Sequence, residues 1–249
     1  MILAENITKI YSGGVKAIDN ITFNITRGEV CGYLGGNGAG KSTTIKILCG
    51  MIRPDAGRIS IDGIDMARDP AIAKKMIGYV PESGALFLSL SPYDFLEFTC
   101  RMYDVPKNIY QQRINSFMEV FNLKKELYTP MHAFSKGMRQ KVLIIASLIH
   151  DPEVIIWDEP LSGIDYDTTI IVRNLVKELS AAGKTFFYST HLVESVDKMC
   201  TRVIVLKAGK IVHEVMMSEG SRGEIEKIMS SNGDGTESRD NIQRLYKNS

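Results

Sequence analysis

The chain has 249 residues, 44% hydrophobic and 24% charged, the usage of an ordinary globular protein long enough to bury a sizeable core. Lys and Arg total 30 against 29 Asp and Glu, so the formal net charge of +1 calls for neither a nucleic acid nor an anionic surface as partner. No basic segment leading into an apolar one opens the chain, and the most apolar stretch, Val142–Ile149, is far short of the roughly 18 residues of a membrane span.

Residues 2–31 alternate apolar and polar positions and are rich in β-branched side chains, which predicts strands, with turns at Ser12-Gly13-Gly14 and Arg27-Gly28. Cys31–Leu34 predicts a buried strand running into a glycine-rich loop. A helix over Lys41–Cys49 follows, stopped by Gly50 and Pro54. Short strands are expected at Arg58–Ile61 and Ile77–Val80, the second ended by Pro81. From about Leu90 to Ile149 apolar residues recur at three- and four-residue spacing with no strand between them, the pattern of a helical block. Strands return at Val154–Trp157, Lys184–Ser189, Val203–Leu206 and Lys210–Val215, with helices near Thr168–Ala182 and Leu192–Met199 and a hairpin turn at Ala208-Gly209. Strands alternating with helices predict a parallel α/β sheet, and the helical block reads as an inserted subdomain. From Ser218 the chain turns polar, glycine- and serine-rich, which predicts a weakly ordered tail with one short helix near Gly223–Met229.

Cys31, Cys49, Cys100 and Cys200 are far apart and form no CxxC pair, so they read as reduced, small apolar residues rather than a zinc or redox site. Glycosylation-type triplets at Asn6, Asn20 and Asn24 have no secretory context and read as chance strand sequence.

Gly35-Gly36-Asn37-Gly38-Ala39-Gly40-Lys41-Ser42 fits G-x-x-x-x-G-K-[ST] between a predicted strand and a predicted helix. Such glycines let successive N–H groups curl around an anion, and the helix start adds its positive end. Lys41 brings a full charge to β- and γ-phosphates, Ser42 a hydroxyl to Mg²⁺, and Thr43 a further phosphate contact. Downstream, the apolar strand Val154–Trp157 ends in Asp158 and Glu159. At such a strand tip Asp158 suits Mg²⁺, and Glu159 suits polarisation of an attacking water. These two motifs define a P-loop NTPase and leave kinases and GTPases open.

The stretch Phe134-Ser135-Lys136-Gly137-Met138 resembles the LSGGQ signature of the ABC ATPase family, matching at Ser135 and Gly137 and departing at Phe134, Lys136 and Met138. The SKGM form is similar to the ABC-2-type export ATPases. The resemblance runs through about residue 215. It implies a P-loop NTPase (RecA-like) parallel sheet core with an N-terminal antiparallel β subdomain and an inserted helical subdomain. The corresponding limits are 1–217 for the nucleotide-binding domain, about 83–150 for the insertion and 218–249 for the tail.

The resemblance further implies that Tyr11 stacks on adenine, that Gly163-Ile164-Asp165 forms a loop crossing a dimer interface, and that His191 is a switch histidine. It also implies that Ser135 and Gly137 face the γ-phosphate held by another subunit. Two positions depart from the family: Gly36 replaces its usual proline, and Glu82 its usual glutamine, leaving Glu82 a metal ligand of unsettled role.

The expected activity is ATP hydrolysis with Mg²⁺, driven by ATP-dependent pairing of two nucleotide-binding subunits. They would sit at the inner face of the membrane, cytoplasmic and attached through a separate permease, with export as the transport direction. The apolar segment 83–90 is a candidate docking loop for that permease. Three rivals remain: a soluble ABC ATPase with a non-transport role, a non-catalytic regulatory subunit, and a small-molecule kinase. The charge balance points to no nucleic acid partner.

Overall fold

A computed structural model of the chain describes residues 1–82, 88–218 and 220–230. In chain order the elements are β1 (Ile2–Ile10), β2 (Lys16–Ile25), β3 (Val30–Leu34), α1 (Lys41–Leu48), β4 (Ala56–Ile61), β5 (Ile64–Asp65), α2 (Pro70–Lys75) and β6 (Ile77–Val80). Then come α3 (Pro92–Met102), α4 (Lys107–Val120), α5 (Lys136–Leu148), β7 (Val154–Asp158), α6 (Tyr166–Ala181), β8 (Thr185–Thr190), α7 (Val193–Asp197), β9 (Arg202–Lys207), β10 (Lys210–Met216) and α8 (Ser221–Ser230).

Two sheets form among the described residues. The first is antiparallel, ordered β2-β1-β4-β5. The second is ordered β10-β9-β3-β8-β7-β6; all its pairings are parallel except that of β10 with β9. The architecture is therefore α/β with an N-terminal antiparallel part, as the resemblance implies.

Period-two alternation divides the second sheet between two cores. Val154 and Ile156, Phe187, and Ile204 and Leu206 face the antiparallel sheet and α1. Their neighbours Ile155 and Trp157, Phe186 and Tyr188, and Val203 and Val205 face the helical block. Because every one of these strands is buried on both faces, each reads as a continuous apolar run. Cys31, Cys49, Cys100 and Cys200 are all buried and free, in keeping with their reading as apolar residues; burial pushes the Cys100 thiol up to about 11.

Two of the three asparagine triplets, those at Asn6 and Asn20, have a structural cause that chance does not supply. In β1 the buried positions run Ile2, Ala4, Ile7, and in β2 they run Ile18, Ile21, Phe23. The extra residue in each is Asn6 (φ 52°) or Asn20 (φ 51°), an asparagine in the left-handed region that shifts the alternation by one. Each bulge is closed by the other's threonine: Asn6 N–H donates to Thr22 Oγ1 (2.9 Å) and Asn20 N–H to Thr8 Oγ1 (3.1 Å).

The helical block is α3, α4 and α5 with two short 3₁₀ turns at Lys124–Glu126 and Met131–Ala133, all between β6 and β7. It docks on the sheet where Gly78 of β6 meets α5: a Cβ on Gly78 would lie 1.9 Å from Ser147 O, so only glycine allows this approach. Sequence patterning does not reveal α2. Its start was nevertheless encoded, since Pro70 stands at the first helical turn and Lys74 and Lys75 in the last. The short helix anticipated near Gly223–Met229 is α8. Of the candidate docking loop only 88–90 is described, and most of the tail likewise lies outside the described residues.

Candidate active site

The parallel register brings four strand ends to one edge of the sheet. Leu34 lies beside Thr190, Asp158 beside Ser189, and Val80 beside Trp157. The glycine-rich loop, His191, the Asp158-Glu159 pair and Glu82 therefore leave the sheet side by side, at the carboxyl ends where open α/β sheets place ligands.

The loop is built for close backbone approach. Gly35 N–H donates to Thr190 O (3.3 Å), and a Cβ there would sit 2.6 Å from Leu206 O. Gly40, at φ 112°, caps α1, and a Cβ on it would lie 2.6 Å from Ala17 O. No side chain caps α1, so the first amides of the helix remain available to an anion. Lys41, 8% exposed, folds back over the loop and donates to Gly35 O (2.7 Å) and Gly36 O (3.2 Å). The side chain is thus held in place by the turn it would share with a phosphate.

Gly36, Asn37, Gly38, Gly40, Lys41, Ser42 and Thr43 line one cleft of about 790 Å³, facing Glu82, Asp158, Glu159 and His191 across it. Gly35 and Ala39 lie behind this lining, Ala39 nearly buried. Ser42 Oγ donates to Glu82 Oε2 at 3.4 Å.

Asp158 is 3% exposed and accepts from Ser189 Oγ. Burial raises its pKa above the ordinary carboxylate value, with Glu82 and Glu159 adding to the rise and the Ser189 and Ser42 hydroxyls opposing it. Glu159 sits at φ 49°; among the described residues it and Ala208 are the only left-handed positions that are not Gly, Asn or Asp. Its N–H donates to Ser189 O (3.2 Å), and its carboxylate is held from two sides, by Thr190 Oγ1 (3.2 Å) and His191 Nδ1 (2.8 Å). Since a carboxylate only accepts, His191 places its hydrogen on Nδ1, and Nε2 donates to a phosphate only in the imidazolium form.

The remaining sequence candidates lie elsewhere in the chain. Ser135 caps α5, accepting from Met138 N–H (3.2 Å), and does not line the cleft. Gly137 packs on the loop after Glu159, where a Cβ would sit 2.7 Å from Gly163 O. Asp165 caps α6 through Thr168 N–H (2.8 Å) and Oγ1 (2.7 Å) and pairs with Lys141 (3.2 Å). Those Thr168 hydrogen bonds, with help from Lys141, hold its carboxyl down to about 2. Tyr11 ends β1 in a turn, 41% exposed, with Lys9 Nζ 6.0 Å from its ring centre, and is not part of the cleft lining.

Sequence reasoning missed four contributors. Lys136 lines the cleft and donates to Ser162 Oγ (3.2 Å), although it appeared only as a departure from the signature. Ser189 and Thr190 orient the two carboxylates; the signal was the polar ending of an otherwise apolar strand, Thr-Phe-Phe-Tyr-Ser-Thr. Gln140 donates to Pro160 O (3.0 Å) and ties α5 to the same loop.

This geometry matches known proteins along most of the chain. A family model described as ABC transporter matches residues 18–162. An uncharacterized ABC transporter ATP-binding protein of Methanocaldococcus jannaschii, MJ1023, is 37% identical over 85% of this chain and 76% of its own length. The linearmycin resistance ATP-binding protein LnrL of Bacillus subtilis is 35% identical over 85% of this chain and 68% of its own. Among solved structures, the dimeric ATP-binding cassette MJ0796, in a post-hydrolysis state bound to ADP and Pi, superposes with a TM-score of 0.81. It is 26% identical, over 88% of this chain and 99% of that one.

Proposed function

This chain belongs to the ABC transporter family as an ATP-binding, ATP-hydrolysing subunit, and from that premise we propose that it powers export by closing on a second nucleotide-binding subunit beneath a separate permease. The observation that carries the reading is a division within one chain. Lys41, Ser42, Asp158, Glu159 and His191 converge on a single cleft, whereas Ser135 and Gly137 lie outside it. A cleft with one wall is completed by another copy. The dimeric relative bound to ADP and Pi supports that pairing, and the resistance role in the name of LnrL supports export.

In this reading the loop amides and Lys41 hold the β- and γ-phosphates, and Tyr11 meets the adenine. Glu159 takes a proton from the attacking water as its oxygen bonds to the γ-phosphorus and the bond to ADP breaks. His191 marks the γ-phosphate. Ser135, Gly137 and Asp165 act across the dimer contact.

A magnesium ion fits the donor set, which is all hard oxygen: Ser42, Asp158 and Glu82. Among the described residues no three His, Cys, Asp or Glu side chains converge as a metal-holding group. The ion, when bound, would neutralise phosphate charge and offset the burial, and the lesser effect of Glu82 and Glu159, that raise the Asp158 pKa.

Among the described residues no helix is long and apolar enough to cross a membrane. We place the subunit at the cytoplasmic face, held there by its permease.

Glu159→Gln tests the assignment. Turnover should fall by ~10²-fold or more, and ATP should then trap a dimer on size exclusion. Wild-type turnover in this variant, or a monomer in ATP, would sink the reading. Co-purification from membranes tests the permease: a retained membrane protein is the expected outcome.

A further inference from the structure

Next to the cleft, sharing Glu159, Ser162 and His191 with it, lies a second cavity of about 270 Å³. It is bounded by Glu159, Ser162, Gly163, Tyr188, Thr190 and Ser195, among others. Tyr188 belongs to β8, is 2% exposed, and its hydroxyl has no hydrogen-bond partner among the described residues. The Ser195 and Thr190 hydroxyls, both bounding the cavity, lie close enough to oppose the rise that burial gives the Tyr188 pKa, yet neither forms a complete hydrogen bond with its hydroxyl. The hydroxyl therefore points into the cavity rather than into the apolar core that surrounds its ring.

Two residues earlier on the same face, Phe186 fills its place in that core with no hydroxyl. A bare phenyl at 188 would serve packing equally, and a buried hydroxyl without a partner is costly, so the oxygen needs a reason. The accounting at Thr190 supplies one. Its hydrogen goes to Glu159 Oε2 (3.2 Å) and one lone pair takes Leu192 N–H (3.1 Å), which leaves one lone pair on a residue that lines the cavity. Water bridges such a gap when the site is polar and roomy. A water occupies ~30 Å³ and needs two to four polar partners, which Tyr188, Thr190 and Ser195 offer.

We propose that this cavity is a built water site, in which ordered water joins the Tyr188 hydroxyl to Thr190 and thereby fixes the direction of the Glu159 carboxylate. Tyr188 is on this view a positioning residue for hydrolysis. The proposal rests on the reading of Glu159 as the base. Its effect is expected in the catalytic step, because the walls it shares with the cleft are Glu159, Ser162 and His191 and not the phosphate-binding loop.

Tyr188→Phe removes one oxygen and keeps the ring. We expect kcat to fall ~3–10-fold, a fraction of the ~10²–10⁴ that a positioned base contributes, with KM for ATP unchanged. Unchanged kcat overturns the proposal, as does a loss of kcat matched by a rise in KM or one that merely follows a loss of melting temperature. Should the variant fail to fold, a high-resolution crystal structure of the wild-type protein decides. Water within hydrogen-bonding distance of the Tyr188 hydroxyl supports the site, and none there removes it. That measurement is independent of Glu159→Gln, so the two readings fail separately.

Discussion

Two helix starts in this molecule look alike in sequence and behave differently. Both follow a glycine- or serine-containing turn and open on a lysine: Gly40-Lys41 for α1 and Ser135-Lys136 for α5. At α1 no side chain caps the helix, and its lysine is buried against the loop carbonyls. At α5 the Ser135 hydroxyl already takes the Met138 amide, and Lys136 reaches to Ser162 in the loop that follows Glu159. The first end is left for a ligand to complete. The second is satisfied within its own chain and keeps only part of its anion-binding capacity for a neighbour.

Lys41→Ala tests that contrast most severely. ATP affinity of the single subunit should drop ~10²-fold, read by titration calorimetry. Unaltered affinity would mean that α1 is not the anion end.

The far end of α5 gives the next effect. His150 follows that helix, stacks on Tyr103 at 3.7 Å and contacts Ile77 O through Nε2 (3.1 Å). Burial pushes its pKa down to about 4 from 6.5. A lowered imidazole means the unfolded chain binds the proton first, so stability falls as pH drops from about 6.5 toward 4. The loss is on the order of 3 kcal/mol, and denaturant melts of His150→Gln should show a flatter pH dependence over that window.

Ser135→Ala comes third. It should cost ~1 kcal/mol of stability through the lost cap while leaving single-subunit ATP affinity within about two-fold. A large affinity loss would erase the distinction between the two helix starts.

The smallest expected change has the opposite sign. Asp158→Asn removes a buried charge whose ionised form burial and its acidic neighbours disfavour, and the amide oxygen can still accept from Ser189. Melting temperature without nucleotide should rise by ~2–4 °C, the shift produced by ~1 kcal/mol in a chain this size, and hydrolysis should disappear. The gain should vanish at low pH, where the aspartate is already neutral.

Most of the site could be read before the fold was known because its parts are local. A strand, four glycines and a lysine form an amide nest within a handful of residues, and Asp158 and Glu159 are adjacent at the end of one apolar run. What resisted reading depends on contacts between distant segments. Thr190 meets Glu159 across 31 positions, and Gly78 matters only because Ser147 packs on it. The paired bulges at Asn6 and Asn20 looked like chance because each needs the other's threonine.

Chain order and side-chain chemistry alone therefore determined the strand–loop–helix that cradles phosphate, the paired acids, and the alternation that makes an α/β sheet. These follow from backbone sterics, hydrogen-bond capacity and period-two burial, which act over a few residues. Tertiary structure alone decided that Ser189 and Thr190 hold the two carboxylates, that Lys136 enters the cleft, and that a cavity opens between Glu159 and Tyr188. The reason is the parallel register of β3, β8 and β7, which sets side by side groups that the chain itself keeps far apart.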